Sequence, residues 1–461
     1  LTADPPHLSA AAPRRHLGAA HATVLALGMI MTTDTLKTAP TVALNVGHWH
    51  FYGLWVLGGL ISMVGALCYV EMATAFPDAG GDYSFLRKAY GAEVALLFAW
   101  SRFSIMHTGW IALMAFMFAD YAGALIPFGP IGHTLFALAT VAALMGLNLM
   151  PVRLGFITQA GLIGVVTAGF AAVVVAAIKL GLDHRLPAAV ATAAPAHAPS
   201  LAQISVALIY IFLAYGGWSD AATLSSEVRQ NRRGMLIAII GSLVLLMVIY
   251  LALNGAMLAG LGVTGLAHST APAAELLGRA FGPAGKTLII AVVGVSAIAS
   301  INSTLIVGAR TTYAAARDTP ALAAFGRWEA RRGVPARAVL AEGGFAMVLV
   351  VFGSFAASGF NAMVDYMTPV YWLFIMLSMG ALMILRRRFP DALRPVKTPL
   401  YPLFPASFAA LALYMFVASL LDLGAGALYG AAVMGAGVAV LALLRLRRRG
   451  DRFRARDVET P

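Results

Sequence analysis

The apolar positions of this chain come in long continuous runs. They are neither the stripes of a half-buried helix nor the alternation of a half-buried strand. Twelve runs stand out, at 18–44, 51–75, 93–122, 133–150, 157–180, 203–226, 234–258, 285–314, 338–357, 363–385, 402–421 and 425–446. A helix needs about 20 apolar residues to cross a bilayer core, within a range of about 17–25. The runs are rich in Leu, Ala, Val, Ile and Met and lack the ten-residue alternation of a membrane β-strand. The pattern predicts an all-α polytopic membrane protein with twelve transmembrane helices, called spans 1–12.

Composition supports the same class. Of 461 residues, 60% are hydrophobic and 11% charged, against about 25% charged in a soluble domain. That excludes a soluble globular protein and a disordered one. The net charge of +12 raises nucleic acid as a partner, but no basic stripe alternates with aromatics, so none is expected. Sidedness explains the charge instead. With both termini on one face, 26 of the 32 Lys and Arg fall in that face's loops and tails. Four (Lys179, Arg185, Arg279, Lys286) fall on the other face, and Lys37 and Arg102 lie within or near spans. The positive-inside rule then predicts cytoplasmic termini in a cytoplasmic membrane. Residues 1–17 read as a flexible cytoplasmic tail, not a cleaved leader, and 447–461 as a basic cytoplasmic tail. The stretch 181–202 reads as an Ala/Pro-rich connection. The lone Cys68 reads as a buried thiol, and no metal centre is expected.

Two spans do not read as continuous helices. Span 1 carries MTTDTLKTAP (31–40), which puts Thr32, Thr33, Asp34, Thr35 and Lys37 inside an apolar stretch. Thr and Asp compete for nearby backbone groups and weaken a helix. A carboxylate at membrane depth needs a partner, water or a substrate. Span 6 carries FLAYGGWSDA (212–221), and Gly216-Gly217 invites unwinding. Breaks in corresponding spans of two halves point to a transporter's binding site, because backbone groups freed by unwinding are tolerated only where they line a cavity. The plainer reading is close helix packing at Gly-Gly and a local Asp34–Lys37 pair.

Five ordered segments carry a resemblance: GMIMTTDTLKTAP (28–40), GALCYVEMATAFPDAGGDYSFLRKAYG (65–91), FLAYGGWSDAATLSSEVRQNRR (212–233), INSTLIVGARTTYAAARD (301–318) and RRRFPDALRPVKTPLYPLFP (386–405). They resemble the amino acid–polyamine–organocation (APC) transporter superfamily over nearly the whole length. The resemblance implies the five-plus-five inverted-repeat fold with helices 1 and 6 broken. The repeats would be 18–180 (spans 1–5) and 203–385 (spans 6–10), with 402–446 (spans 11–12) peripheral. It implies a secondary active permease moving an amino acid or related amine by alternating access. Carried over by position, the substrate-binding residues are Thr32, Thr33, Asp34 and Thr35, then Ala214, Tyr215, Gly216 and Gly217. Two departures matter. Asp34 would repel a substrate carboxylate unless it is protonated or points away, so it argues for a cationic group on the substrate or for a proton or cation role. Where relatives often carry a coupling lysine in span 5, this chain has Val166.

Further candidates have two readings each. His107 either faces the site or is structural. Tyr215 and Trp218 are either gates or interface aromatics. Asn302, Ser303 and Thr304 either coordinate a cation with span 1 or bond neighbouring helices. Glu71 and Glu227 are expected to pair with basic loops. No cofactor is implied, and proton and sodium both stay open as coupling ion. The partners expected are a small-molecule substrate and the lipid bilayer, with oligomeric state open. A polyamine or cationic amine exchanger using Asp34 is the nearest alternative. A transporter-like sensor without net transport is another. A membrane-embedded enzyme is disfavoured, since Asp34, Lys37 and His107 are the deep titratable groups expected and they suggest no nucleophile–base pair.

Overall fold

The computed structural model describes residues 23, 27, 30–77, 81–127, 129–149, 156–187, 198–221, 231–317, 324–325 and 335–458. Among these, eleven helices are long and apolar enough to cross a membrane, and they match spans 2–12. Span 1 contributes the described arm that starts at Thr35. The chain is therefore an all-α, twelve-span membrane protein with its first and sixth helices broken. Exposed apolar side chains such as Leu60, Val175, Ile178, Val248 and Leu413 line its outside, as expected of a surface that faces lipid.

Long helices bend where glycine permits. Thr35–Ala75 is one helical run broken at Gly47, whose φ of 62° folds the arm of span 1 directly onto span 2. A residue with a Cβ rarely adopts that conformation. The same device adds a segment the apolar runs did not show. Span 8 starts close to 285, just after Gly282 (φ 67°), which bends onto it a preceding helical segment that starts at Pro272. Apolar runs report how much of a helix is greasy, and this segment carries Glu275 and Arg279.

Burial ranks the spans. Span 3 buries 72% of its apolar window and span 10 buries 61%, while span 12 buries 17%. Span 3 is thus central and span 12 peripheral. Span 2 packs on spans 6 and 7, span 8 packs on spans 3 and 5, and span 10 packs on spans 3, 11 and 12. Span 3 is irregular. Ala92–Ser101 and Thr108–Gly123 are joined by a π-helical turn, Arg102–His107. Such turns free a backbone carbonyl and recur at functional sites. Here the Ser104 carbonyl accepts the Tyr366 hydroxyl of span 10 at 2.8 Å.

Candidate functional site

The break in span 1 covers Met31–Asp34, between the helical residue Ile30 and the arm that starts at Thr35. The Asp34 carbonyl accepts the N–H groups of Lys37 (2.7 Å) and Thr38 (3.0 Å), which starts the arm. The Asp34 side chain is fully buried at this helix N-terminus. The Thr32 hydroxyl donates to its Oδ1, while Oδ2 is buried with no hydrogen-bond partner. A helix N-terminus favours a negative group, yet a buried carboxylate oxygen left bare is costly. The site therefore asks for a donor or cation. Thr33 donates to Ser296 Oγ of span 8 at 3.1 Å, and Thr35 Oγ1 is buried without a partner.

Lys37 does not supply that cation. Its ammonium pairs with Asp120 of span 3 at 2.6 Å and lies 5.8 Å from the centre of the Phe360 ring. His133 of span 4 approaches the same carboxylate at 3.7 Å. The local Asp34–Lys37 pair is replaced by a tie between spans 1 and 3.

Span 6 starts with a capping box at Ser200 and Gln203 and runs as helix over Leu201–Ala214. It then tightens. The Tyr215 N–H still donates to Ile211, but the Gly216 N–H donates to Leu213, at 3.1 Å. Gly217 has φ 84°, and helix resumes over Trp218–Ala221. The positive φ explains why glycine ends the first segment here. Ala214 and Tyr215 are buried at the break. The Tyr215 ring packs against Trp55 (5.9 Å) and Tyr250 (5.5 Å), and its hydroxyl has no partner. Trp218 lies between Tyr69 (5.1 Å) and Phe408 (6.1 Å), among spans 2 and 11. Tyr250 of span 7 joins the two breaks, since its ring meets Tyr215 and its hydroxyl reaches the Ile30 carbonyl at 3.5 Å. A single Tyr in an apolar run was the only sequence sign of it.

Other candidates lie elsewhere. His107 turns toward spans 3 and 9. Its Nε2 accepts from Arg102 Nε at 2.9 Å, and its Nδ1 is 3.3 Å from Glu342 Oε1. Asn302 accepts from Asn148 of span 4 at 2.8 Å, Ser303 is exposed, and Thr304 bonds back to the Ser300 carbonyl at 2.9 Å. The structure does not bring these three to the span 1 break; Ser296, nearly two turns earlier, makes that contact. The set of deep titratable groups is also corrected. Glu342 is fully buried in span 9, and Asp120 and Arg102 lie within span 3. A lone Glu in the run AEGGFAMV (341–348) was the available signal.

On the face with the basic loops, Glu71 behaves as expected. Arg386 binds both its oxygens, at 2.7 and 2.6 Å, the Thr398 N–H donates at 2.7 Å, and Arg394 lies at 3.4 Å. Arg386 also stacks 3.8 Å from the centre of the Tyr401 ring. This clamp ties the end of span 2 to the end of span 10. Glu227 lies outside the described residues. Arg102 pairs with Asp220 at 2.5 Å, joining span 3 to the segment after the span 6 break.

Beside this lies Asp82, in the short helix Asp82–Tyr90 between spans 2 and 3. Ser378 donates to it at 2.9 Å. Burial pushes its carboxyl up to about 6, against the hydrogen bonds and the Arg102 charge that pull the other way. A raised carboxyl stabilises the fold fully below its ordinary value near 4. That contribution is lost as pH climbs to about 6. Asp82→Asn is therefore expected to raise the thermal midpoint in detergent at pH 7.5, by up to about 2–3 kcal/mol of stability. Near pH 4.5 the gain should shrink toward zero. A gain of equal size at both pH values would contradict the assignment.

The fold and its two breaks, bridged by Tyr250, define a class. A twelve-helix membrane protein whose spans 1 and 6 are both broken has the architecture of a solute transporter. The profile of the amino acid permease family matches residues 17–441, and the chain belongs to that family, whose members are transporters and not enzymes. It is 27% identical over 376 residues to the b(0,+)-type amino acid transporter 1 of Mus musculus, covering 80% of this chain and 75% of that one. It is 25% identical over 443 residues to the large neutral amino acids transporter small subunit 2 of Homo sapiens, covering 93% and 80%.

Proposed function

We propose that this permease moves an amino acid or related amine across the cytoplasmic membrane by secondary active transport, with Asp34 reading the positive charge of the substrate. The observation that carries this reading is the second carboxylate oxygen of Asp34. It is buried and unpartnered at the span 1 break while Lys37 is held by Asp120. The names of the relatives, amino acid transporters all, support the substrate class. Backbone freed at 31–34 and 215–217 would meet the rest of the solute, with Thr32, Thr33, Thr35, Ala214, Gly216 and Gly217 around it. The repeats in this reading are 18–180 and 203–385, with 402–446 outside them. Both termini are cytoplasmic, in keeping with the 26-to-4 distribution of basic residues.

Alternating access needs contacts that close each side of the site in turn. Two ion pairs fit that need. Lys37–Asp120 ties span 3 to span 1 just beyond its break, and Arg102–Asp220 ties span 3 to span 6 just beyond the other. In our reading the first closes the outer side and the second the cytoplasmic side. Asp34 also favours a second reading, a polyamine or cationic amine exchanger.

The test is a thermal-shift screen of the purified protein with amino acids, decarboxylated amines and polyamines. Stabilisation grows as RT ln(1 + [L]/Kd). Uptake of the hits into proteoliposomes follows. Stabilisation without uptake or exchange would replace the permease with a sensor.

A further inference from the structure

We propose that His107 and Glu342 form a proton-binding site, joined through Arg102 to the segment after the span 6 break, and that the proton held there is the coupling ion. The inference rests on the permease reading above.

The geometry begins with the π-helical turn. It stacks residue 107 over residue 102, so that Arg102 Nε–H donates to His107 Nε2 at 2.9 Å. Arg stays protonated, so Nε2 is the unprotonated nitrogen and the ring proton of neutral His107 sits on Nδ1. Nδ1 stands 3.3 Å from Glu342 Oε1, at ion-pair distance but outside hydrogen-bond alignment. Both oxygens of Glu342 are buried without a hydrogen-bond partner, and the residue is 0% exposed. Span 8 presses on it with a glycine. A Cβ at Gly308 would collide with the carboxylate where it stands, so the glycine lets Glu342 lie directly against span 8. A bare carboxylate in such a place is far more costly than a neutral one, and it takes up a proton rather than stay charged.

The charged groups around the pair set what that proton does. Arg102 acts on both Glu342 and His107, and Asp220 acts on His107. Asp82 and Tyr69 act on Arg102, and Tyr371 lies near Asp220 and Asp82. Among the described residues, Arg102 is therefore the cation common to the group. With Glu342 protonated, Asp220 competes for Arg102 without this second buried anion, and the 2.5 Å pair closes the side toward the basic loops. When the proton leaves, Glu342 becomes an anion one imidazole away and draws the guanidinium back. The hold on Asp220 weakens, and with it the hold on the segment that follows Gly216-Gly217. A proton loaded while that side is closed and lost as it opens moves in the same direction as the substrate. This assigns proton symport to a chain that has Val166 in place of a span 5 lysine.

The experiment uses the full chain in proteoliposomes with a trapped pH-sensitive dye and labelled lysine, leucine or putrescine. For the wild type, an inward proton gradient is expected to drive accumulation, up to about tenfold per pH unit for one proton per substrate. Substrate added without a gradient should acidify the lumen. Glu342→Gln mimics the protonated acid. It is expected to abolish the acidification and the gradient response while substrate still shifts the melting temperature. Should that variant fail to reach the membrane, His107→Gln is expected to move the pH midpoint of uptake and lower the gradient response at least severalfold. Wild-type uptake with no proton movement, or an unchanged gradient response in the variant that is obtained, overturns the inference and leaves the permease reading standing. No uptake or exchange of any probe overturns both.

Discussion

Asp34→Asn is expected to weaken binding of a cationic amine by roughly 30- to 1,000-fold, while a neutral amino acid changes by about threefold or less. Removing one member of a buried, hydrogen-bonded charge pair costs about 2–5 kcal/mol, much of it from the charge left unpaired. The substitution is conservative in shape. Asn keeps an oxygen to accept the Thr32 hydroxyl. The charge is lost, and the buried oxygen without a protein partner becomes an NH2 that donates instead of accepting. The comparison is made by thermal shift and by competition in uptake, with matched pairs such as leucine and lysine. Equal affinities in wild type and variant, for charged and neutral ligands alike, would remove Asp34 from substrate recognition. Lys37 gives an internal control, because its partner is Asp120 and its own pair should survive the change.

Gly217→Leu is expected to lower uptake on the order of 100-fold, equivalent to about 3 kcal/mol, with the protein still inserted. The residue sits at φ 84°, a conformation that costs an L-residue with a Cβ about 1–2 kcal/mol. Leucine is also a strong helix former where glycine is a poor one, by nearly 1 kcal/mol. Both effects push the unwound segment toward continuous helix. That would remove the free backbone groups and shift Trp218 and Asp220, which follow the break and contact Tyr69 and Arg102. Gly217→Ala should fall between the two. Retained uptake in the Leu variant would count against a substrate site in span 6.

Much of this was legible along the chain because it is local. Twelve apolar runs follow from the thickness of a bilayer. The breaks at Met31–Asp34 and Gly216-Gly217 follow from poor helix formers in greasy surroundings, and both fall within the segments expected to break. The Glu71 clamp was anticipated because a carboxylate at a span end among basic loops has partners to hand. Partner choice was not legible. Lys37 stands three residues from Asp34, yet it pairs with Asp120 across a helix interface. His107 was a candidate for the substrate site, but a π-helical turn stacks it on Arg102 and aims it at Glu342, 235 residues later in the chain. Span 8 reaches span 1 through Ser296, and not through the polar cluster at 302–304.

The sequence by itself determined the membrane class, the number of spans, the uneven sharing of basic charge and the two places where helices stop. Each depends on residues near one another in the chain and on the hydrocarbon around them. Tertiary structure alone decided which buried charges meet. In a medium where a bare ionised group is costly, a carboxylate such as Asp120 and a cation such as Lys37 pair across a helix interface, and one such as Glu342 is left to take up a proton. The rotation of each helix, set by its packing and here by one π-helical turn, settles which counterpart that is.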